Sequence, residues 1–98
     1  MKTEKIKLSN KTAEGYVVPF GPVNLVFART DEGTVGCGIF DVETFQKFGF
    51  PAAKVKANKG LVENIEDLLL GEVVAMNPSA ESLGISLGMS GKEALERM

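Results

Sequence analysis

The segment whose residue types are best suited to chemistry is Gly36-Cys37-Gly38, with Asp41 close behind it. Glycines inside a strand often mark a bulge or a place where a ligand or another backbone approaches closely. As a thiolate, Cys37 could act as a nucleophile or a redox thiol, with Asp41 as its partner. The same pattern also fits a Cys37 that packs as a small hydrophobe and an Asp41 that caps a helix.

A second candidate site is the glycine-rich stretch 84–92, which leads into the last predicted helix. Free amides and the helix dipole at such a start favour an anion, and a lysine follows closely. The stretch therefore predicts a binding site for a small anionic molecule. Its predicted residues are Gly88, Ser90, Gly91 and Lys92.

The glycine-rich stretch has a structural interpretation as well. Ser90 and Glu93 have the spacing of a capping box, in which each side chain bonds the other residue's amide. The Glu93 carboxylate would repel a phosphate from the same helix end. In this interpretation the glycines only shape a tight turn.

A lysine group at Lys54, Lys56 and Lys59 is the third candidate for binding an anion. Alternation with apolar residues places Lys54 and Lys56 on one side of a predicted strand. Exposed lysines in this arrangement usually form a solvated face, and no arginine or aromatic residue stands beside them for bidentate or stacking recognition.

The composition excludes several classes of chemistry. The 98 residues contain no histidine and one cysteine, so a histidine-based triad cannot form and a zinc site within one subunit is not expected. We expect no metal and no cofactor. The net charge of −2 does not indicate the basic surface that nucleic-acid-binding domains usually carry, so we expect no nucleic-acid partner. No apolar run approaches a membrane span, so we expect a cytoplasmic protein with no membrane partner.

The elements that must position these residues follow from hydrophobic periodicity and turn residues. Four strands come first, and residues 23–40 form the clearest hairpin. Short helices then alternate with short strands. This order predicts a single small α+β domain over residues 1–98, with a mixed or antiparallel sheet. The predicted strands are 3–9, 15–20, 23–30, 34–40, 52–57 and 72–76, and the helices are 42–48, 65–70, 78–84 and 91–98.

The positions of the aromatic residues are relevant to whether copies of the chain associate. They occur at strand and helix spacings that suit a core, but a chain of this length has limited interior volume. If the core is too small to bury all of them, the excess would form a subunit interface. The phenylalanines concerned are Phe27, Phe40, Phe45, Phe48 and Phe50.

Several segments resemble the YunC-like family, which comprises small prokaryotic domains of unknown function. They are residues 36–42, 65–69, 83–85 and 88–95, and the resemblance is strongest at Gly-Met-Ser-Gly near the C-terminus. It implies a compact α+β domain, a homo-oligomer and a bacterial or archaeal origin. It implies no catalytic residue, so it assigns no role to Cys37, Asp41 or Ser90.

Three functional hypotheses follow from the sequence. The first is a non-enzymatic, oligomeric ligand-binding or regulatory domain for a small anionic molecule. The second is a small enzyme or redox protein that uses Cys37, for which a carboxylate, a lysine or water would have to act as the base. The third is a structural or scaffold protein. Function resides in sites, so the fold class alone does not choose among them.

Overall fold

Six strands form one sheet whose spatial order is the same as their order along the chain. The computed structural model describes residues 1–58 and 60–98. All neighbouring strands are antiparallel except β4 and β5, which run parallel, so the sheet is mixed. The strands are β1 (Lys2–Lys7), β2 (Thr12–Phe20), β3 (Val23–Arg29), β4 (Thr34–Gly36), β5 (Ala52–Lys56) and β6 (Glu72–Met76).

Four short helices complete the α+β fold predicted from the sequence. They are α1 (Val42–Gln46), α2 (Ile65–Leu70), α3 (Pro78–Glu81) and α4 (Gly91–Glu96). Each begins after a residue whose side chain accepts a hydrogen bond from a free amide, which is the physical reason it starts there. The capping residues are Asp41, Asn64, Asn77 and Ser90, in chain order.

The core lies on one face of the sheet, beneath α2 and α4. Helix α2 packs on β2 and β3, whereas α4 packs on β4 and β6. Small residues on the strands allow the helices to approach, and larger aliphatic side chains fill the space from the helix side. The fully buried members include Ala13, Val26, Ala28, Val35, Val55 and Val73 on strands, and Leu68, Leu95 and Met98 from the helical side.

The opposite face carries a row of aromatic rings. Neighbouring ring centroids are 4.9 to 6.0 Å apart, within the range of favourable aromatic contacts. The row runs Tyr16, Phe27, Phe40, Phe45, Phe50. Phe48 lies outside it and is 80% exposed, so its predicted core position is wrong.

Strand β4 ends at Gly36, four residues earlier than predicted. The Phe40 amide donates to the Cys37 carbonyl at 3.0 Å, which closes a turn where a continued strand was expected. This turn brings the Phe40 ring over Gly36, where an added Cβ would lie 2.1 Å from the ring. Alternation of residue types does not reveal the turn, because it depends on this close contact.

The helices also end earlier than predicted. The predicted ends at residues 48, 84 and 98 become Gln46 for α1, Glu81 for α3 and Glu96 for α4. Gly49 and Gly84 follow the first two with φ angles of 68° and 88°, a conformation that favours glycine. These glycines therefore end the helical segments, and the residues between each last helical residue and its glycine form turns.

Asn77, at the start of α3, joins α1, β5 and α3 through one buried side chain. It is 2% exposed. Its oxygen accepts from the amides of Ala52 at 3.1 Å and Ala80 at 2.9 Å. Its amide nitrogen donates to the carbonyls of Val42 at 3.0 Å and Phe50 at 2.9 Å. All four hydrogen-bonding positions of the side chain are therefore used.

Asn77→Asp tests this arrangement through pH. The substitution keeps the shape of the side chain but turns a carboxylate oxygen toward two carbonyls, which raises the folded-state pKa above the unfolded value of about 3.9. Stability is then highest below that value and falls as the pH rises through the folded pKa. We expect urea unfolding to show Asn77→Asp losing stability between pH 4.5 and 7.5 relative to Asn77→Ala.

Asn77→Ala provides the pH-independent reference. It leaves buried donors and acceptors without partners, and each unpaired group lowers the unfolding free energy by about 1–3 kcal/mol. We therefore expect Asn77→Ala to destabilise the protein substantially at both pH values. The exposed Asn10→Asp is the matched control and should leave the urea midpoint within error of the wild type. Equal midpoints for Asn77→Asp and the wild type at neutral pH would contradict the hydrogen-bond assignment.

Candidate functional site

Cys37 lies at the end of β4, where the chain leaves the sheet. Its amide donates to the Val26 carbonyl at 3.0 Å, and its side chain is buried at 5% exposure. The thiol belongs to the main apolar core cluster, yet one side of the residue lines a groove at the sheet end. Cys37 is therefore a core residue at the edge of a surface groove.

Asp41 is fully occupied as the N-cap of α1. One carboxylate oxygen accepts from the amides of Glu43 at 3.0 Å and Thr44 at 3.3 Å, and the other accepts from the Thr44 hydroxyl at 2.7 Å. The Thr44 hydroxyl and then the Thr44 amide hold the pKa of Asp41 below its usual value. These bonds explain Asp41 without any link to Cys37.

Cys37 and Asp41 do not form an acid–base pair in this arrangement. Cys37 is buried, whereas Asp41 is exposed and turned to its own helix. In the described part of the chain, no side chain hydrogen-bonds the thiol. Over the same residues, no three potential metal-ligating side chains lie together. The chemistry available at Cys37 is that of an isolated thiol, and the catalytic role stays a prediction.

The predicted anion site at Gly88, Ser90, Gly91 and Lys92 has few free amides. Four consecutive amides, from residue 88 to residue 91, bond to atoms of the protein itself, and the Glu72–Ser90 bridge extends the sheet edge. An anion would have to displace these bonds. They run from Gly88 to the Val73 carbonyl, from Met89 to the Ser86 carbonyl, from Ser90 to the Glu93 carboxylate and from Gly91 to the Gly71 carbonyl.

The capping box predicted between Ser90 and Glu93 is present in both directions, each bond being 3.0 Å. Gly91 is buried where an added Cβ would lie 2.1 Å from the Leu68 carbonyl oxygen, so glycine is required for the contact between α2 and α4. Lys92 is exposed. Packing thus accounts for these residues, and anion binding by them stays a prediction.

A groove of about 240 Å³ opens beside Cys37, between the β2–β3 turn, the turn after β4 and the loop before α2. More of its lining is apolar than polar, and three large apolar side chains at its rim are 40% to 63% exposed: Val23, Ile39 and Leu61. Asn24 closes one side by donating to the Glu63 carbonyl at 3.0 Å. The groove has the apolar, concave character of small-molecule sites.

A second groove of about 270 Å³ adjoins the first and shares Gly38, Leu61 and Val62 with it. It is lined by Lys54 and Lys56, two of the three predicted anion-binding lysines. Neither belongs to an ion pair among residues 1–58 and 60–98. Lys59 lies outside the described residues. We call the two spaces together the Cys37–Lys56 groove.

Sequence reasoning found Cys37 and the lysines but did not bring them together. The loop residues Leu61 and Val62 join the two halves of the groove, and Ile39 forms the rim on the other side. The available signal was Leu61, an apolar residue that directly follows the polar stretch Asn58-Lys59-Gly60. Gly38 has open space where a Cβ would stand, and so leaves the groove accessible.

Other clefts fit an anionic ligand less well. A cleft of about 390 Å³ carries both basic and acidic groups, Lys5, Lys11 and Arg29 against Glu14, Asp31 and Glu32. Two ion pairs within it, Arg29–Glu14 at 2.8 Å and Lys11–Glu32 at 3.8 Å, offset most of its charge. A wider depression beside α1 and β6 includes Glu43 and Glu81, and none of the described residues that line it is basic.

No helix in the described ranges has the length and apolar character that a membrane span needs.

The packing of the glycine-rich stretch predicts unequal effects for two neighbouring substitutions. Gly91→Ala places a Cβ against the Leu68 carbonyl, so we expect it to lower the unfolding free energy by about 1–3 kcal/mol. Lys92→Ala removes only an exposed side chain and should change it by less than about 0.5 kcal/mol. Thermal and urea unfolding measure both, and a Gly91→Ala variant as stable as the wild type would contradict the close contact.

Comparisons with known proteins agree with this fold. The chain is 30% identical over 97 residues to the uncharacterized protein YunC of Bacillus subtilis (strain 168), an alignment that covers 95% of this chain and 92% of YunC. The crystal structure of a protein of unknown function from Thermoplasma acidophilum is similar, with a TM-score of 0.86 and 24% identity, over 98% of this chain and 90% of that one. At that identity, the structural likeness shows the fold alone.

The family assignment rests on residues 36–98 together with the alignment to YunC. Residues 36–98 match the model of the family described as Domain of unknown function (DUF1805). The matched range begins at Gly36 and includes the Cys37 turn and the glycine-rich stretch. The resemblance to the YunC-like family is thereby confirmed, and the chain belongs to the DUF1805 family.

Proposed function

We propose that the protein is a non-enzymatic binding domain for a small molecule that has an apolar body and an anionic group. The observation that carries this proposal is that the apolar half and the lysine-bearing half of the Cys37–Lys56 groove share three lining residues, which places the two halves side by side. A ligand with both characters would satisfy both halves at once. A regulatory role fits the same site, because a bound ligand would contact three separate turns and loops.

The apolar half supplies the driving force for binding. Val23, Ile39 and Leu61 stand exposed around a concave space in the protein alone, and a ligand would remove part of their surface from water. Each 100 Å² of apolar surface buried in this way contributes about 2.5 kcal/mol before the costs of association.

The lysine half supplies selectivity for charge. Lys54 is half-buried and Lys56 is exposed, so their ammonium groups can reach an anion at the groove. None of the described residues that line this half is acidic. The attraction of lysines near solvent is screened by salt, so this part of the affinity falls as ionic strength rises.

The position of Cys37 favours a second candidate function, thiol chemistry on a ligand held in the groove. The residue lines the groove and is the one cysteine of the sequence. The candidate has less support than binding alone, because the side-chain hydrogen bonds of the described residues give the thiol no general base. A single cysteine, which cannot form a disulfide within the chain, also supports our proposal that the protein works in the cytoplasm.

Calorimetric titration with octanoate tests the proposal, with octan-1-ol and acetate as matched probes. Octanoate has both an apolar tail and a carboxylate, whereas each of the other two lacks one of them. We expect octanoate to bind at least 10-fold more tightly than either. Equal affinity for octan-1-ol would exclude the role of the lysines, and absence of octanoate binding would favour a structural role for the protein.

Variants locate the binding site. Gly38→Leu fills the groove from a position with open space, so we expect loss of octanoate binding at unchanged thermal stability, with Gly38→Ala as the folding control. The double variant Lys54→Ala/Lys56→Ala should weaken octanoate about 5-fold or more and remove its salt dependence. If Lys92→Ala weakens binding instead, the ligand occupies the glycine-rich stretch and our site is wrong.

A further inference from the structure

The depression beside α1 and β6 differs in character from the Cys37–Lys56 groove. It has a volume of about 580 Å³ and lies between α1, α3, the end of β6 and the loop after α3. We call it the β6 groove. Glu43 and Glu81 contribute its charge, and its apolar lining includes Val74 and Leu87, which are 44% and 63% exposed. It therefore combines accessible apolar surface with negative charge.

Strand β6 is the last strand of the sheet, and its outer edge is covered by backbone over its first half. The Val73 amide donates to the Met89 carbonyl at 2.8 Å, and the Val73 carbonyl accepts from the Gly88 amide at 3.0 Å. Beyond Val73, no backbone hydrogen bond in the described part of the chain joins residues 74–76 to a segment other than β5. The outer edge of these residues is open to pairing with another strand.

A bulge decides which backbone groups point outward at this open edge. The register between β5 and β6 shifts between Lys54 and Val55. After the shift, the Asn77 amide donates inward, to the Ala52 carbonyl at 3.1 Å. Because inward and outward residues alternate in an antiparallel pair, Met76 directs its N–H and C=O away from β5. Met76 also lines the β6 groove, so this donor and acceptor are available beside it.

The walls of the β6 groove are held in place by the protein itself. Asn77 bonds both the Val42 carbonyl at the start of α1 and the Ala80 amide of α3. Gln46 Oε1 accepts from the Ser79 amide at 2.9 Å, which joins the end of α1 to α3. An occupant does not have to order these helices, so that cost of binding is absent.

The charge of the β6 groove favours a basic occupant. Glu43 and Glu81 are both exposed, and neither belongs to an ion pair within residues 1–58 and 60–98. Val74 also lines the lysine half of the Cys37–Lys56 groove, so two grooves of opposite charge lie side by side. An anionic molecule is attracted to the lysines, whereas a cationic one is attracted to the glutamates.

We propose that the β6 groove binds an extended segment of another protein in which basic and apolar residues alternate. The segment adds a strand at the outer edge of β6, beside Met76. Its apolar side chains contact Val74 and Leu87, and its basic side chains reach Glu43 and Glu81. Strand addition of this kind gains affinity from main-chain hydrogen bonds and specificity from the side chains. A helix satisfies its own backbone groups and would leave the open edge unused.

Fluorescence anisotropy with three labelled peptides tests the proposal. The first peptide, Arg-Val-Arg-Val-Arg-Val-Arg, has both residue types, and a shift of one residue exchanges the faces on which they lie. The second has glutamate in place of each arginine. The third is the first peptide N-methylated at two consecutive central residues, which removes donors from both edges of the strand. We expect the first peptide to bind at least 10-fold more tightly than either of the others at 50 mM salt.

A pair of matched leucine variants locates the peptide. Leu87→Lys removes an apolar contact and adds a positive charge in the β6 groove, so we expect at least 10-fold weaker binding of the arginine peptide. Leu70→Lys is the control, because Leu70 is 64% exposed on α2 and lies outside this groove. It should bind the peptide as the wild type does. Circular dichroism and thermal unfolding establish that both variants are folded.

Glutamate variants test the charge. Glu43→Gln/Glu81→Gln should weaken the arginine peptide about 5-fold or more and reduce the dependence of its binding on salt. Glu4→Gln/Glu66→Gln removes the same charge from exposed positions outside the groove and should leave the affinity within about 2-fold of the wild type. Equal effects of the two double variants would show attraction to the whole protein and would overturn the proposal.

The remaining outcomes each overturn the proposal. Absence of binding by the arginine peptide does so directly, and equal binding of the N-methylated peptide excludes strand addition. Self-association of the protein that Leu87→Lys abolishes would show that a second copy occupies the groove. The octanoate titration is a separate test, because Leu87, Glu43 and Glu81 do not line the Cys37–Lys56 groove.

Discussion

The four hydrogen bonds of Asn77 fix how the second half of the chain is attached to the sheet. They join a carbonyl at the start of α1, a carbonyl just before β5, the first amide of β5 and an amide of α3. Because these groups are buried, leaving one unpaired costs more than an exposed hydrogen bond contributes. The position of α1 against β5 and β6 therefore depends on this side chain.

Local features of the fold could be predicted from the sequence, whereas contacts between distant segments could not. The helices that follow Asp41, Asn64 and Ser90 each begin where a side chain bonds an amide two or three residues later. Residue type and spacing are therefore sufficient to predict where these helices begin. The sequence also predicts the helix that begins at residue 78, but three hydrogen-bond partners of Asn77, which precedes it, lie 25 to 35 residues away. No local pattern specifies which carbonyls a buried amide will meet.

The candidate site shows the same distinction. The capping box at Ser90 and Glu93 is visible in the sequence. The sequence does not indicate that the Gly88 amide donates to Val73 in β6, or that the Gly91 amide donates to Gly71, the residue before β6. The stretch that resembles an anion-binding helix entry instead forms an isolated antiparallel bridge to Glu72 at the sheet edge. Conversely, the groove beside Cys37 depends on Leu61, whose importance arises only because the loop before α2 folds against the turn after β4.

The contact between Gly36 and the Phe40 ring constrains how this protein can vary over evolutionary time. A methyl group at position 36 would overlap the ring, so that position can become larger only if position 40 becomes smaller. A smaller residue at position 40 would in turn break the aromatic row at its middle, between Phe27 and Phe45. Single replacements at either position therefore face a fitness barrier, and the two residues should be inherited as a unit in related sequences.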